Sequence, residues 1–135
     1  MIEELLQKPY WIIDILPEQV PKDSPGRYFA VEKYFLEGER LAQLRQKHTD
    51  LILKLYCYRN VAIAEEDEII ENPSPESIAE EMNRRYLYIL VDGALIISEP
   101  NDTHMTVFSA DEELLGLIRT LAAGEGLFVW RPPEL

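Results

Sequence analysis

The stretch Tyr86-Leu87-Tyr88-Ile89-Leu90-Val91-Asp92-Gly93-Ala94-Leu95-Ile96-Ile97-Ser98-Glu99 places two apolar runs on either side of Asp92-Gly93. A two-residue type I′ turn needs positive φ at both central positions, and Asp-Gly is one of the few pairs that tolerate it. The stretch therefore predicts a β-hairpin of 86–91 against 94–99. The turn also sets the register. On one side Val91 faces Ala94, Ile89 faces Ile96 and Leu87 faces Ser98. On the other, Leu90 faces Leu95, Tyr88 faces Ile97 and Tyr86 faces Glu99. Both sides are mostly apolar, so helices, a second subunit or a partner must cover each of them.

Downstream, Pro100-Asn101-Asp102-Thr103 reads as a turn into a third strand, 104–108. Ser109-Ala110-Asp111-Glu112 has the form of a capping box with Ser109 as N-cap. It opens a helix with Leu114, Leu117, Ile118 and Leu121 on one face. Gly124 and Gly126 suit its C-terminal end, and 127–131 forms a last strand closed by Pro132-Pro133.

Upstream, Ser74-Pro75 carries the N-cap-plus-proline signal for a short helix to about Arg84. The acidic segment 60–72 reads as a loop. Residues 51–59 read as a strand, with Leu51, Leu53, Leu55 and Cys57 on one face and Ile52, Lys54, Tyr56 and Tyr58 on the other. Ser24-Pro25 is expected to start a helix reaching about His48, with Gly38 as a potential break. The alternative there is a strand over 27–35. Residues 10–16 form the first strand, stopped by Pro17.

The expected order is β-α-β-α-β-β-β-α-β. This describes one α+β domain over residues 1–135, with a mixed, mostly antiparallel sheet of five to six strands and about three helices. The helix between 104–108 and 127–131 is expected to make one crossover. A chain of 135 residues with 47% apolar content supports a proper core.

Charge is unevenly spread. Residues 1–59 hold 9 acidic and 9 basic side chains, whereas 60–135 hold 16 and 4, so the whole net charge of −12 lies in the second part. Between Asn60 and Asn83 there are 8 acids and no Lys or Arg. Such a surface repels phosphates, so nucleic acid and anionic membranes are not expected partners. Arg84 and Arg85 are read as local charge partners of this stretch. No apolar run approaches the ~18 residues of a membrane span. The Met-Ile-Glu-Glu start lacks a secretory pattern, and one cysteine forms no internal disulfide, so the expected location is cytoplasmic.

Motifs for phosphate loops, zinc proteases, nucleophile elbows and EF-hands are missing, and no cofactor or metal is expected. Cys57 is read as a core thiol, because leucines share its strand face. His48 is read as a cation capping a helix C-terminus. Trp11 and Trp130 are read as core or sheet-rim residues.

One constellation carries chemistry. If the turn after Glu99 sets Glu99 against His104, then Tyr86, Glu99 and His104 lie side by side at one end of the sheet. A histidine oriented by a carboxylate beside a phenol is equipped for acid–base work. These three are the catalytic candidates. Tyr56, Tyr58 and Tyr88 are the ligand-binding candidates, Tyr56 and Tyr58 on the condition that strand 51–59 pairs with 86–91. The bland alternative is an ordinary polar cross-strand cluster.

The leading expectation is a noncatalytic protein-interaction module. It would be inhibitor- or immunity-like or self-associating, with a homodimer expected and an interface that avoids residues 64–82. The alternatives are a small-molecule-binding protein or enzyme with a pocket on the Tyr-rich face, and a purely structural subunit.

Overall fold

A computed structural model describes residues 2–20 and 26–132. Its elements are α1 (Ile2–Leu5), β1 (Tyr10–Asp14), α2 (Gly26–Phe35), α3 (Gly38–Tyr56), β2 (Val61–Ala64), β3 (Ile69–Glu71), α4 (Pro75–Arg84), β4 (Leu87–Val91), β5 (Ala94–Ser98), β6 (His104–Phe108), α5 (Glu112–Gly124) and β7 (Phe128–Trp130). The seven strands form one sheet in the order β3-β2-β4-β5-β6-β1-β7, and every neighbouring pair is antiparallel. The α+β class is as expected. The described residues hold seven strands and five helices, rather than five to six and about three.

The hairpin forms with the expected register: Val91↔Ala94, Leu90↔Leu95, Ile89↔Ile96, Tyr88↔Ile97 and Leu87↔Ser98. Its turn has φ 43° at Asp92 and 88° at Gly93, both positive as a type I′ turn requires. β6 continues the meander. β1 lies between β6 and β7 and is antiparallel to both, so β6 and β7 run parallel and α5 is a true crossover.

One face of the sheet carries Val61, Ile63, Leu87, Ile89, Val91, Ala94, Ile96, Met105, Val107 and Ile13. It packs on Leu44, Leu51, Ile52 and Leu55 of α3, Ile78 and Met82 of α4, and Leu114, Ile118 and Ala122 of α5. Full burial of each large aliphatic side chain here contributes about 1.5–3 kcal/mol. The second face is not bare. Leu95 is fully buried and Ile12 nearly so, and α1 packs against β5.

Two expected elements differ, and over 27–35 the expected helix, not the alternative strand, forms. The strand over 51–59 is instead the second half of α3, which runs to Tyr56 rather than ending near His48. Leu44, Arg45, His48, Leu51, Ile52 and Leu55 are all buried on it. They recur at intervals of one, three and four residues, the spacing of a helix face, and burial of that face outweighs the strand-like alternation. The segment 60–72 is not a plain loop but two strands. Val61 to Ala64 pairs with β4, and the acids Glu65, Glu66, Asp67 and Glu68 occupy the connection to the edge strand β3. Residues 27–35 are helical, with no strand there, and Gly38 separates α2 from α3 with φ 56°. The expected start, Ser24-Pro25, lies outside the described residues, as does Pro133.

Local caps follow the sequence in one case and shift in another. Ser74 Oγ accepts from the Ser77 amide at 3.1 Å with Pro75 next in line. The N-cap of α5 is Asp111, accepting from the Leu114 amide at 2.8 Å. Ser109, the expected cap, has φ 65° and lies two residues too early. No described helix is long and apolar enough to cross a membrane.

Candidate functional site

Arg45 and His48 stand three residues apart on α3, so their side chains project from one face. That face is the buried one: Arg45 is 3% exposed and His48 0%. Arg45 Nη1 donates to His48 Nδ1 across 2.6 Å. Its Nη2 donates to the Met82 carbonyl at 3.1 Å and to Ser98 Oγ at 2.6 Å. A guanidinium only donates, so Nδ1 is the acceptor and the imidazole is neutral with its proton on Nε2. The electrostatics agree. Burial, reinforced by the Arg45 charge, pushes His48 down to about 3. The Thr103 backbone pulls the other way, though no hydrogen bond of ordinary geometry closes on Nε2. His48 is therefore a buried neutral ring in mid-helix rather than a capping cation.

Burial also lowers the Arg45 pKa, while Asp102 and Glu99 act electrostatically to hold the charge. Among the described residues no carboxylate lies within ion-pair distance of Arg45. Its Nε and His48 Nε2 are buried without hydrogen-bond partners. Burying a charge without a close counter-ion is expensive and needs a reason.

Asp102 lies in the turn between β5 and β6. Its Oδ1 accepts from the Thr103 amide at 2.8 Å and faces His104 Nδ1 at 2.9 Å. Burial pushes this carboxyl up, but the His104 hydrogen bond and charge bring it below its ordinary value. His104 moves reciprocally upward, chiefly through the Asp102 hydrogen bond. On the adjacent strand Asp14 is the direct partner of His104 and, on its other side, of Phe128. Asp14 is 4% exposed, and its Oδ1 has no hydrogen-bond partner. Burial pushes its carboxyl up to about 6, against backbone amides of Leu16 and Ile15 and the His104 charge. Glu32 of α2 acts electrostatically on both Asp14 and His104. One end of the sheet thus gathers Arg45, His48 and Ser98 on the helix-covered face and Asp14 and His104 on the other. The Asp102 turn lies between them. An imidazole oriented by Asp102, on the strand next to an acid whose carboxyl burial pushes up to about 6, is equipped to exchange protons.

The expected catalytic candidates adjoin this cluster. Continuing the β5–β6 register from Ile97↔Thr106 by two places sets Glu99 against His104. Glu99 also acts on Tyr86, whose phenol is raised by burial first and then by Tyr88 and Glu99. Tyr86 is 51% exposed, and its ring meets that of Tyr88 edge-on at 5.5 Å. The charges acting on His104 are those of Asp102, Asp14 and Glu32. Tyr88 is half-buried on the second face, opposite Ile97 and Ala64. Tyr56 and Tyr58 do not reach it, because β2 rather than 51–59 pairs with β4. Tyr56 ends α3 with its hydroxyl donating to the Pro73 carbonyl at 2.9 Å, and Tyr58 is exposed.

Cys57 is exposed rather than a core thiol, since the helix turns it away from Leu51 and Leu55. Trp130 is half-buried at the rim and donates from Nε1 to the Leu16 carbonyl at 3.1 Å. Arg85 does pair locally, with Glu65 at 2.6 Å and with Glu81, and Arg84 pairs with Glu81 at 2.6 Å.

Sequence reasoning passed over Asp14, Arg45 and Asp102. A usable signal existed for Arg45 and His48: carrying the helix to Tyr56 puts this polar pair inside an apolar stripe. Asp14 ends an apolar strand, and only its insertion between β6 and β7 buries it. Among the described residues no group of three His, Cys, Asp or Glu side chains is placed to hold a metal ion. In comparisons with protein families, curated proteins and solved structures, this chain matches none.

Proposed function

We propose that this chain is a protein-interaction module that associates with a second copy of itself through α2. The supporting observation is α2 itself. Ten residues long, it buries no side chain fully, and Phe29, Val31, Tyr34 and the adjoining Leu36 are each 39–53% exposed. A helix this short gains little stability alone and normally depends on packing of an apolar face. Only Phe35 of α2 packs against the core cluster. Charge points the same way. Residues 1–59 are net neutral while 60–135 carry −12, so two copies meet with least repulsion through the first part. On this reading neither nucleic acid nor a membrane surface is a partner.

Light scattering over a micromolar concentration range tests the reading. The expected result is a dimer that dissociates in the Phe29→Ser, Tyr34→Ser double variant with its fold intact. A monomer throughout overturns self-association, and a dimer unaffected by the double variant overturns the role of α2.

A second reading, a small-molecule-binding protein or enzyme, draws support from the Asp102–His104 pair beside the buried Asp14. A pH titration of His104 by NMR bears on it. Ligand-dependent shifts of the His104 ring would favour this reading over pure assembly.

A further inference from the structure

At the opposite end of the sheet from His104, the corner of β2, β3 and β4 holds a cleft of about 370 Å³. Its apolar surface comes from Val61, Ala62, Ile69 and Leu90, and its polar rim from Asn60, Glu71, Asn72 and Asp92. Sequence explains why the space exists. Ala62 is a small residue facing Leu90 across the β2–β4 ladder and Glu71 across the β2–β3 ladder. A larger residue there would fill the corner. β3 is an edge strand of three residues, so no further strand closes the far side.

The rim is electrostatically one-sided, for its only charged groups are two carboxylates. Among the described residues Glu71 has no ion-pair or hydrogen-bond partner, and neither do the side chains of Asn60 and Asn72. Asp92 is only partly offset. Arg59 approaches it at 3.6 Å but also approaches Glu113 at 3.4 Å, so one guanidinium serves two acids. The acids Glu65, Glu66, Asp67 and Glu68 connect the other ends of β2 and β3 and do not line the cleft. Asn72 is held at φ 51°, an uncommon conformation for a residue with a side chain.

We propose that this cleft binds a small organic ammonium ion, its charge drawn by Glu71 and Asp92 and its apolar body resting on Ala62, Ile69 and Leu90. Three features select that class. The volume lies at the small end of ligand sites, which excludes large cofactors. The floor removes apolar surface from water and so favours a carbon body over an inorganic ion. The unpaired carboxylate repels anions and attracts a cation, while Asn60 and Asn72 offer carbonyl acceptors to the remaining N–H groups. This site is independent of α2 and of self-association.

The test is an amide chemical-shift titration of the full chain with phenethylammonium chloride, set against its neutral counterpart 2-phenylethanol. The ammonium ion is expected to give saturating shifts confined to the amides of Ala62, Ile69, Glu71, Asn72 and Leu90. Raising salt from about 20 to about 300 mM weakens that binding several-fold, because the rim is exposed to screening. Glu71→Gln weakens it by about threefold or more through loss of one nearby charge, whereas Glu66→Gln, outside the rim, leaves it within about twofold. Asp92→Asn is a second rim variant that keeps the turn, since Asn-Gly also suits a type I′ hairpin; it is expected to weaken binding as well. The proposal is overturned if the alcohol shifts the same amides as strongly. It is also overturned if the shifts spread over the acidic surface without saturating, or if Glu66→Gln weakens binding as much as the two rim variants.

Discussion

Arg45 Nη1 lies 2.6 Å from His48 Nδ1, and both side chains are buried against the sheet. An always-charged group is thereby bonded to a ring that must stay neutral, and Asp14, buried at the same end of the sheet, leans toward its own neutral form. Folding here suppresses one imidazolium and one carboxylate, which gives stability a specific dependence on pH.

His48 is depressed from 6.5 to about 3, so its contribution is present above pH 6.5 and is lost as pH falls. Asp14 is raised from 3.8 to about 6, so its contribution is present below pH 3.8 and is lost as pH rises through 6. Between these values the two oppose each other with slopes of about 1.4 kcal/mol per pH unit each. Relative to the native chain, His48→Gln is expected to gain stability on acidification from pH 7 to 4. Asp14→Asn is expected to lose it, each by up to about 3 kcal/mol. Urea unfolding at pH 7, 5.5 and 4 measures this. Profiles parallel to the native one in both variants would show that neither group is as desolvated as its burial implies.

Arg45 itself allows a second comparison. Arg45→Ala leaves Ser98 Oγ and the Met82 carbonyl without their donor and opens a cavity in the core. Arg45→Met fills most of the space and removes a buried charge that lacks a close counter-ion. The Met variant is expected to be more stable than the Ala variant by about 2 kcal/mol or more. Thermal unfolding of the two in parallel decides it. Equal loss in both would mean that the hydrogen bonds of Arg45, not its packing volume, carry its contribution.

Gly93 has open space around its Cα but a φ of 88°, so any cost of substitution there is one of backbone conformation. Gly93→Val is expected to destabilise the hairpin by about 1–2 kcal/mol, because a β-branched residue resists positive φ. In a chain of this size that lowers Tm by roughly 3–8 °C. An unchanged Tm would contradict the requirement for glycine at this turn.

The two serine and aspartate candidates for the α5 cap separate cleanly. Asp111→Ala removes the acceptor for the Leu114 amide and is expected to cost about 1 kcal/mol. Ser109→Ala removes no hydrogen bond to the helix and is expected to cost less than about 0.5 kcal/mol. Chemical denaturation of both variants checks the assignment, and the reverse ranking would restore Ser109 as the cap.

What the sequence alone determined was set by neighbours in the chain. Asp92-Gly93 specifies a turn because only a few residues tolerate its φ angles, and a two-residue turn then dictates every pairing from Val91↔Ala94 to Leu87↔Ser98. Ser74-Pro75 starts α4 because the hydroxyl reaches an amide three residues on. The acidity of residues 60–83 is likewise plain from composition. Tertiary structure decided the rest. Leu51 to Tyr56 satisfies both a strand alternation and a helix stripe, and only the apolar sheet face carrying Leu87, Ile89 and Ile96 selects the helix. That choice buries Arg45 and His48, exposes Cys57, and frees the place beside β4 for β2. Asp14 becomes a buried acid only because β1 inserts between β6 and β7, strands 90 or more residues away in the chain. Local rules act through dihedral angles and short hydrogen bonds, which a few residues specify. Burial and pKa depend on which distant surfaces meet, and no short stretch carries that information.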